Sequence, residues 1–302
     1  MLHKVTLFLK RLGIYPEVEG VLFILPYTIF WALFLVWPLI YGFYISLHKW
    51  DPLRGSKFIG FGNYLNLYRD PRFWNALLNT FKFALLVIPT IVLLGLGFAL
   101  MMKGAGKVKG KGFVEASLFF PYLLTVSVVA MVWEWLFDPD FGLILEYLSG
   151  LGLNPPVFLH DKLWVIPALA FTTAWWLAGY RMVIFRAALE DIPQELYEVA
   201  DLDGANWLQK LRHITLPLLK PAILFAVVLT AISGFRVFGQ VLMMTDGGPG
   251  IASEVLALYL YRYGFSFLEM GQAAATGFVL LLIVLAVTLL SFKVFGLESE
   301  LR

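Results

Sequence analysis

The chain has 302 residues, of which 60% are hydrophobic, 17% aromatic and only 15% charged, with a mean hydropathy of +0.79. That balance excludes an ordinary soluble domain and marks an integral membrane protein, while a net charge of +2 offers no broad basic field for nucleic acid. With no cysteine there is no disulfide, thiolate metal site or cysteine nucleophile, and His3, His48, His160 and His213 lack ligand-like spacing, so no metal centre is expected.

In chain order, Lys4, Lys10 and Arg11 precede an apolar run over 21–47. The run is too long for a signal-peptide core and has no small-residue cleavage site, which predicts a retained first span. Further runs over 76–102, 113–137, 163–188, 222–245 and 271–295 are each long enough to cross a hydrocarbon core of roughly 30 Å as helix. The expectation is an all-α membrane protein, a single transmembrane domain over 1–302 with six spans and both termini on one side. Lys and Arg decide which side. The set that includes Lys4, Lys10, Arg11, the cluster Lys103 to Lys111, Arg186, Lys210 and Arg302 numbers 14, against 7 in the set that includes Lys49, Arg54, Lys57, Arg69 and Arg72. The positive-inside rule makes the first set, and both termini, cytoplasmic.

The basic turn Ala105 through Gly112, AGKVKGKG, lacks the first glycine and the Ser/Thr of a phosphate-binding loop, and it follows a membrane run rather than a strand. It reads as a cytoplasmic turn, so no nucleotide is expected on this chain. The outer connections, near 48–75, 138–162 and 246–270, are too short for a large outer domain.

Between the fourth and fifth runs lies the loop 190–221, the longest polar passage, which reads as a helix, a glycine turn and a second helix. Asp191 is placed to cap the first helix and Pro193 to open it, while Leu196, Val199 and Leu202 fall on one apolar face. Gly204 breaks the run where a positive φ or a close backbone approach is needed, and Trp207, Leu208 and Leu211 form the next apolar face.

Polar groups inside the runs are few and therefore informative. Arg236 falls midway along the fifth, with Gln240 one turn later on the same face and Met243 and Met244 beyond. A translocation cavity and an inter-helix or partner-subunit contact account for them equally. Glu134, between Trp133 and Trp135, fits an interfacial belt better than a cavity wall. Trp175, Trp176 and Tyr180 have the apolar ring faces that stack on sugars, though most such aromatics pack. Asn79, Thr80, Ser233 and Gly234 suit helix contacts, and Arg181 and Arg186 suit snorkelling to headgroups better than pairing with the loop's acids.

Glu198-Val199-Ala200, Gly204 after three further residues, then nine residues to Ile214, Leu216 and Pro217, resemble the EAA loop of ABC-importer permeases. Val199 departs from the usual alanine but remains apolar. The resemblance implies that Glu198, Ala200, Asp203, Gly204, Ile214, Leu216 and Pro217 form a coupling element that docks on a cytoplasmic ATPase subunit. Phe58, Gly60, Asn63, Tyr64, Asp70-Pro71, Phe73-Trp74 and Asn79-Thr80, with Thr245-Asp246-Gly247-Gly248-Pro249, resemble the sugar-type permeases of the maltose and glycerol-phosphate group.

What the resemblance implies is one permease subunit of a carbohydrate ABC importer in the cell membrane, paired with a second and different permease chain. Two ATP-binding subunits would carry the MgATP, and an extracellular solute-binding protein would deliver the cargo. Arg236, Gln240, Tyr180, Trp176 and Glu134 are then the candidate substrate path. A glycerol-3-phosphate importer shares this plan. An ion-driven secondary transporter needs buried carboxylates, for which Glu134 alone is a candidate, and an intramembrane enzyme needs a His/Asp/Glu cluster, which is absent from the sequence.

Overall fold

The computed structural model describes residues 16–52, 55–104, 106 and 108–295. Lys4, Lys10, Arg11, Arg54, Ala105, Lys107, Arg302 and both termini lie outside the described residues. The chain begins with α1 (Pro16–Trp31), a π-turn (Ala32–Val36) and α2 (Trp37–Ser46). A β-hairpin follows, in which β1 (His48–Asp51) pairs antiparallel with β2 (Gly55–Phe58), His48 opposite Phe58. Next come α3 (Gly62–Arg69), α4 (Pro71–Gly104), α5 (Lys111–Phe119), a 3₁₀ turn (Phe120–Leu123), α6 (Val126–Leu136) and α7 (Leu143–Gly150). After α8 (Val165–Glu190) the loop region holds α9 (Gln194–Leu202), α10 (Trp207–Lys210), a π-turn (Leu211–Thr215) and α11 (Leu216–Leu218). The chain closes with α12 (Lys220–Phe235), α13 (Gly239–Met244), α14 (Leu256–Tyr261), a π-turn (Arg262–Ser266) and α15 (Met270–Phe295).

Among the described residues four helices are long and apolar enough to cross a bilayer: Phe23–Ser46, Pro71–Gly104, Val165–Glu190 and Met270–Val294. The expected third span is not a single helix, the expected fifth (222–245) is interrupted after Phe235, and a further bend precedes it at the end of the elbow. Lys111–Leu123 and Val126–Leu136 meet at 102°, and Trp207–Leu218 and Lys220–Phe235 at 66°, so the number reaches six if each bent pair is one span. Proline explains both bends, because it removes a helix N–H and crowds the preceding turn. Pro121 sits in the 3₁₀ turn before the first bend, where Thr125 starts the new helix by accepting from the Val128 N–H. Pro217 and Pro221 flank the second. The fifth run also ends early, since α12 stops at Phe235 and helix resumes only at Gly239.

The bundle is organised on α8, the most buried of the four long helices, and its principal partner is α4. Two glycines set how close its neighbours come. A Cβ on Gly95 of α4 would lie 2.6 Å from the Arg181 Cβ, and one on Gly179 would lie 2.0 Å from the Leu118 carbonyl oxygen. The core divides along the bundle. One cluster, with Phe83, Val129, Leu169 and Val241, joins α4, α6, α8 and α13. A second, with Phe185, Leu189, Ile192 and Leu219, lies toward the 190–221 loop, here called the elbow end. A third, with Leu67, Phe73, Leu256 and Tyr259, lies toward the β-hairpin end. Asn63 holds α3 to the hairpin by donating to the Ser46 and His48 carbonyls at 2.7 and 2.9 Å.

Candidate functional sites at the elbow and in the bundle

The elbow turns by a Schellman closure. At the end of α9 the Ala205 N–H donates to the Ala200 carbonyl at 2.8 Å and the Gly204 N–H to that of Asp201 at 3.1 Å. This pair of bonds needs a left-handed residue at the turn, and Gly204 supplies it with φ +76°. A Cβ there meets no atom within 4 Å, so within this chain backbone conformation, not crowding, demands glycine. The caps differ from expectation. Asp191 ends α8, its N–H bonded to the Ala187 carbonyl at 3.3 Å, and no side chain caps α9, because Pro193 in extended backbone already sets its start. The cap the sequence reading missed is Asn206, which forms a reciprocal box with Gln209 at 2.9 and 2.7 Å. Lys210 then bridges back to Asp201 at 2.6 Å and closes the elbow.

Its apolar face points away from the bundle. Leu196, Val199 and Leu202 are exposed, Leu202 to 88%, as are Trp207 and Leu208. Tyr197 and Ile214 pack inward against the second core cluster. Glu198 and Asp203 are exposed and have no ion pair among the described residues. Ala200, Asp203, Gly204 and Ile214 border a shallow depression of about 300 Å³, with Leu216 half-buried and Pro217 exposed beyond it.

Inside the bundle, α4, α6, α8, α12 and α13 surround a cavity of about 380 Å³ lined by Thr173, Trp176, Thr230, Ser233, Arg236 and Gln240, with Phe83 and Val87. Arg236 and Gln240 do not share a helical face as expected, because the helix breaks between them, yet both reach this cavity. Gln240 is only 4% exposed. Thr173 lies 3.1 Å from one end of its amide, and the nitrogen at the other end has no partner among the described residues. Arg236 is exposed and has no carboxylate partner among them. Trp176 lines the wall while its indole N–H donates to the Leu124 carbonyl at 3.2 Å.

Of the five expected path residues, these three gather. Tyr180 stacks on Tyr122 at 4.5 Å instead, and Glu134 is exposed on α6; neither lines the cavity. Arg181 does not snorkel. The close approach at Gly95 covers it, leaving it 3% exposed, and its Nε donates to Thr230 Oγ1 at 2.9 Å. Arg186 pairs with Glu115 of α5 and, at 3.1 Å, with Glu190 at the end of α8, not with the acids of α9.

The sequence reading missed a polar clamp at the hairpin end. Glu254, fully buried, accepts from Arg72 at 2.6 and 2.7 Å and from Arg262 at 2.7 Å, and Arg262 reaches on to Asp246 at 2.9 Å. Beside it Tyr259 and Tyr263 donate to Asp70 at 2.6 and 3.1 Å, and Gln272 donates to the Tyr259 hydroxyl. Burial, chiefly, pushes both phenols above their ordinary range, so they remain protonated donors. Asn79 and Thr80 complete the clamp as backbone contacts: Asn79 donates to the Ile251 and Glu254 carbonyls, and Thr80 accepts from the Leu256 N–H at 2.9 Å.

Residues 58–296 match the family described as the binding-protein-dependent transport system inner membrane component. The chain belongs to that family. Among relatives of this permease, a sulfoquinovosyl glycerol transport permease of Agrobacterium fabrum is 32% identical over 91% of this chain and 89% of its own. A trehalose/maltose transport permease of Thermococcus litoralis is 32% identical over 91% and 92%. A solved bacterial alginate ABC transporter, in complex with an alginate pentasaccharide-bound periplasmic protein, matches with a TM-score of 0.77 and 25% identity over 94% of each chain.

Proposed function

We propose that the permease is one transmembrane subunit of an ATP-driven ABC importer that takes up a sugar or oligosaccharide delivered by an extracellular binding protein. It has six spans in one domain, with α5 and α6 together as the third and α12 and α13 together as the fifth, and both termini cytoplasmic. A second, different permease chain completes the path, and two ATPase subunits that carry MgATP drive it. The elbow is the docking element, with Glu198, Ala200, Asp203, Gly204, Ile214, Leu216 and Pro217 shaping it. The observation that carries this reading is the outward apolar face of α9, Leu196, Val199 and Leu202, presented beside unpaired acids. Such a face is costly in water and suits a protein cleft.

The cavity suits a polyhydroxy cargo, because the Ser233 hydroxyl and Arg236 offer hydrogen bonds and Trp176 a ring, with Gln240 in the wall beside them. The sugar-carrying relatives support the same substrate class. Arg236, uncompensated among the described residues, favours glycerol-3-phosphate or another anionic cargo as the second reading.

The chain has no cysteine, so a single Leu202→Cys reports docking cleanly. It should cross-link to a cysteine in the surface cleft of the co-purified ATPase subunit. Uptake into vesicles should need internal ATP and survive collapse of ion gradients. Uptake driven by an ion gradient without ATP would sink the reading. A binding panel of sugars and glycerol-3-phosphate on the cognate binding protein separates the two cargoes.

A further inference from the structure

The elbow carries no buried residue on α9 itself and hangs between two turns, one at Pro193 and one at Gly204. A thrust on its outward face therefore reaches the bundle only through whatever side chains tie it down. Tyr197 does so twice. Its ring lies 4.2 Å from Lys103 Nζ, at the last turn of α4, and that ammonium also donates to the Leu189 carbonyl at the end of α8 at 3.3 Å. Its hydroxyl meets Thr215 Oγ1 at 3.0 Å, and buried Thr215 stands just before α11 and α12. The face that points outward and the face that grips the bundle are thus opposite sides of one short helix.

From this we infer that Tyr197 and Lys103 are positioning residues of transport: they form the joint by which the elbow carries α4, α8 and the start of α12 with it as one rigid body. The inference rests on the elbow being a docking element. An ammonium over a ring face holds distance but tolerates rotation, and the hydroxyl pair adds direction, so together the two contacts hold α9 to the bundle as one body. A lysine that merely satisfied the last carbonyls of α8 would not need the ring.

The test uses the intact transporter, with its ATPase subunits, in lipid vesicles. Spin labels at Gln194→Cys on α9 and Met101→Cys on α4, both exposed, report the α9–α4 distance without nucleotide and with MgATP plus vanadate. With the joint intact the distance stays the same in the two states. Lys103→Met and Tyr197→Ala should make it state-dependent, while Lys103→Arg restores a constant distance and Tyr197→Phe, which keeps the ring, shows a smaller change than Tyr197→Ala. ATP hydrolysis by the variants should persist but lose about fivefold or more of its response to the binding protein, the scale of a typical coupling between sites. An α9–α4 distance in Lys103→Met that still does not change with nucleotide overturns the joint, as does a loss of response that only tracks loss of assembled complex. Failure of Leu202→Cys to cross-link to the ATPase overturns the docking reading instead, and the joint with it.

Discussion

The two ends of the bundle handle charge in opposite ways. At the hairpin end Arg72, Glu254, Arg262 and Asp246 satisfy one another, and Asp70 is met by two phenols, so loop and helices are held from within the chain. At the elbow end Glu198 and Asp203 stand exposed without ion pairs among the described residues, and the apolar side chains of α9 have nothing to cover them. A buried acid with two arginines is a finished structure, whereas an exposed acid beside an exposed leucine is an incomplete one. One end is closed within the chain, and the other is the end to which the proposed function assigns a second molecule.

The sharpest way to break that contrast is to remove the acid at the centre of the clamp. Glu254→Ala removes the buried acceptor shared by the partly exposed Arg72 and Arg262, of which only Arg262 keeps Asp246. A cost at the low end of about 3–5 kcal/mol should appear as a large drop in thermal midpoint in detergent. Next comes Gly204→Val, which forces a β-branched residue into a left-handed turn at about 1–2 kcal/mol. Its stability loss should be modest, while the Leu202→Cys cross-link to the ATPase and uptake are lost together. Tyr259→Phe removes one donor to Asp70 and leaves Gln272 without its acceptor, for about 1–2 kcal/mol. Its pH dependence is also distinctive. The folded phenol pKa is raised, so its contribution is complete below the ordinary tyrosine pKa of about 10 and falls as pH rises above it. The wild-type midpoint should therefore fall more steeply above about pH 10 than that of Tyr259→Phe. Smallest of all, Leu202→Ala should move the midpoint by no more than about 0.5 kcal/mol and still weaken co-purification of the ATPase, because its side chain has no neighbours to lose within this chain.

Much of this was legible because it is local. Apolar runs give the long helices, and a glycine four residues after Ala200 gives the Schellman turn. The bend at Pro121 carries a proline signal that hydropathy alone overrides, so the third run reads as straight, and the break after Phe235 in the fifth has no proline to mark it. Asn206 with Gln209 was a readable capping pair, overshadowed by the more conspicuous Asp191. The clamp was not readable in the same way. Arg72 and Glu254 lie far apart in sequence, and a single acid ahead of Leu256–Tyr261 has no periodicity to betray its partner. Within the bundle, Gln240 and Arg236 were picked out as polar residues in an apolar run, but which aromatic joins them depends on packing. Trp176 and Tyr180 are one helical turn apart, and only the first turns to the cavity.

The interruption between Phe235 and Gly239 has a consequence for the backbone. A helix that stops inside a bilayer leaves the carbonyls of its last turn without amide partners, and hydrocarbon cannot supply them. Here the Gly234 carbonyl accepts from the Val237 N–H at 3.4 Å, and Ser233, Arg236 and Gln240 border the cavity beside the break, so polar groups rather than hydrocarbon face the interrupted end.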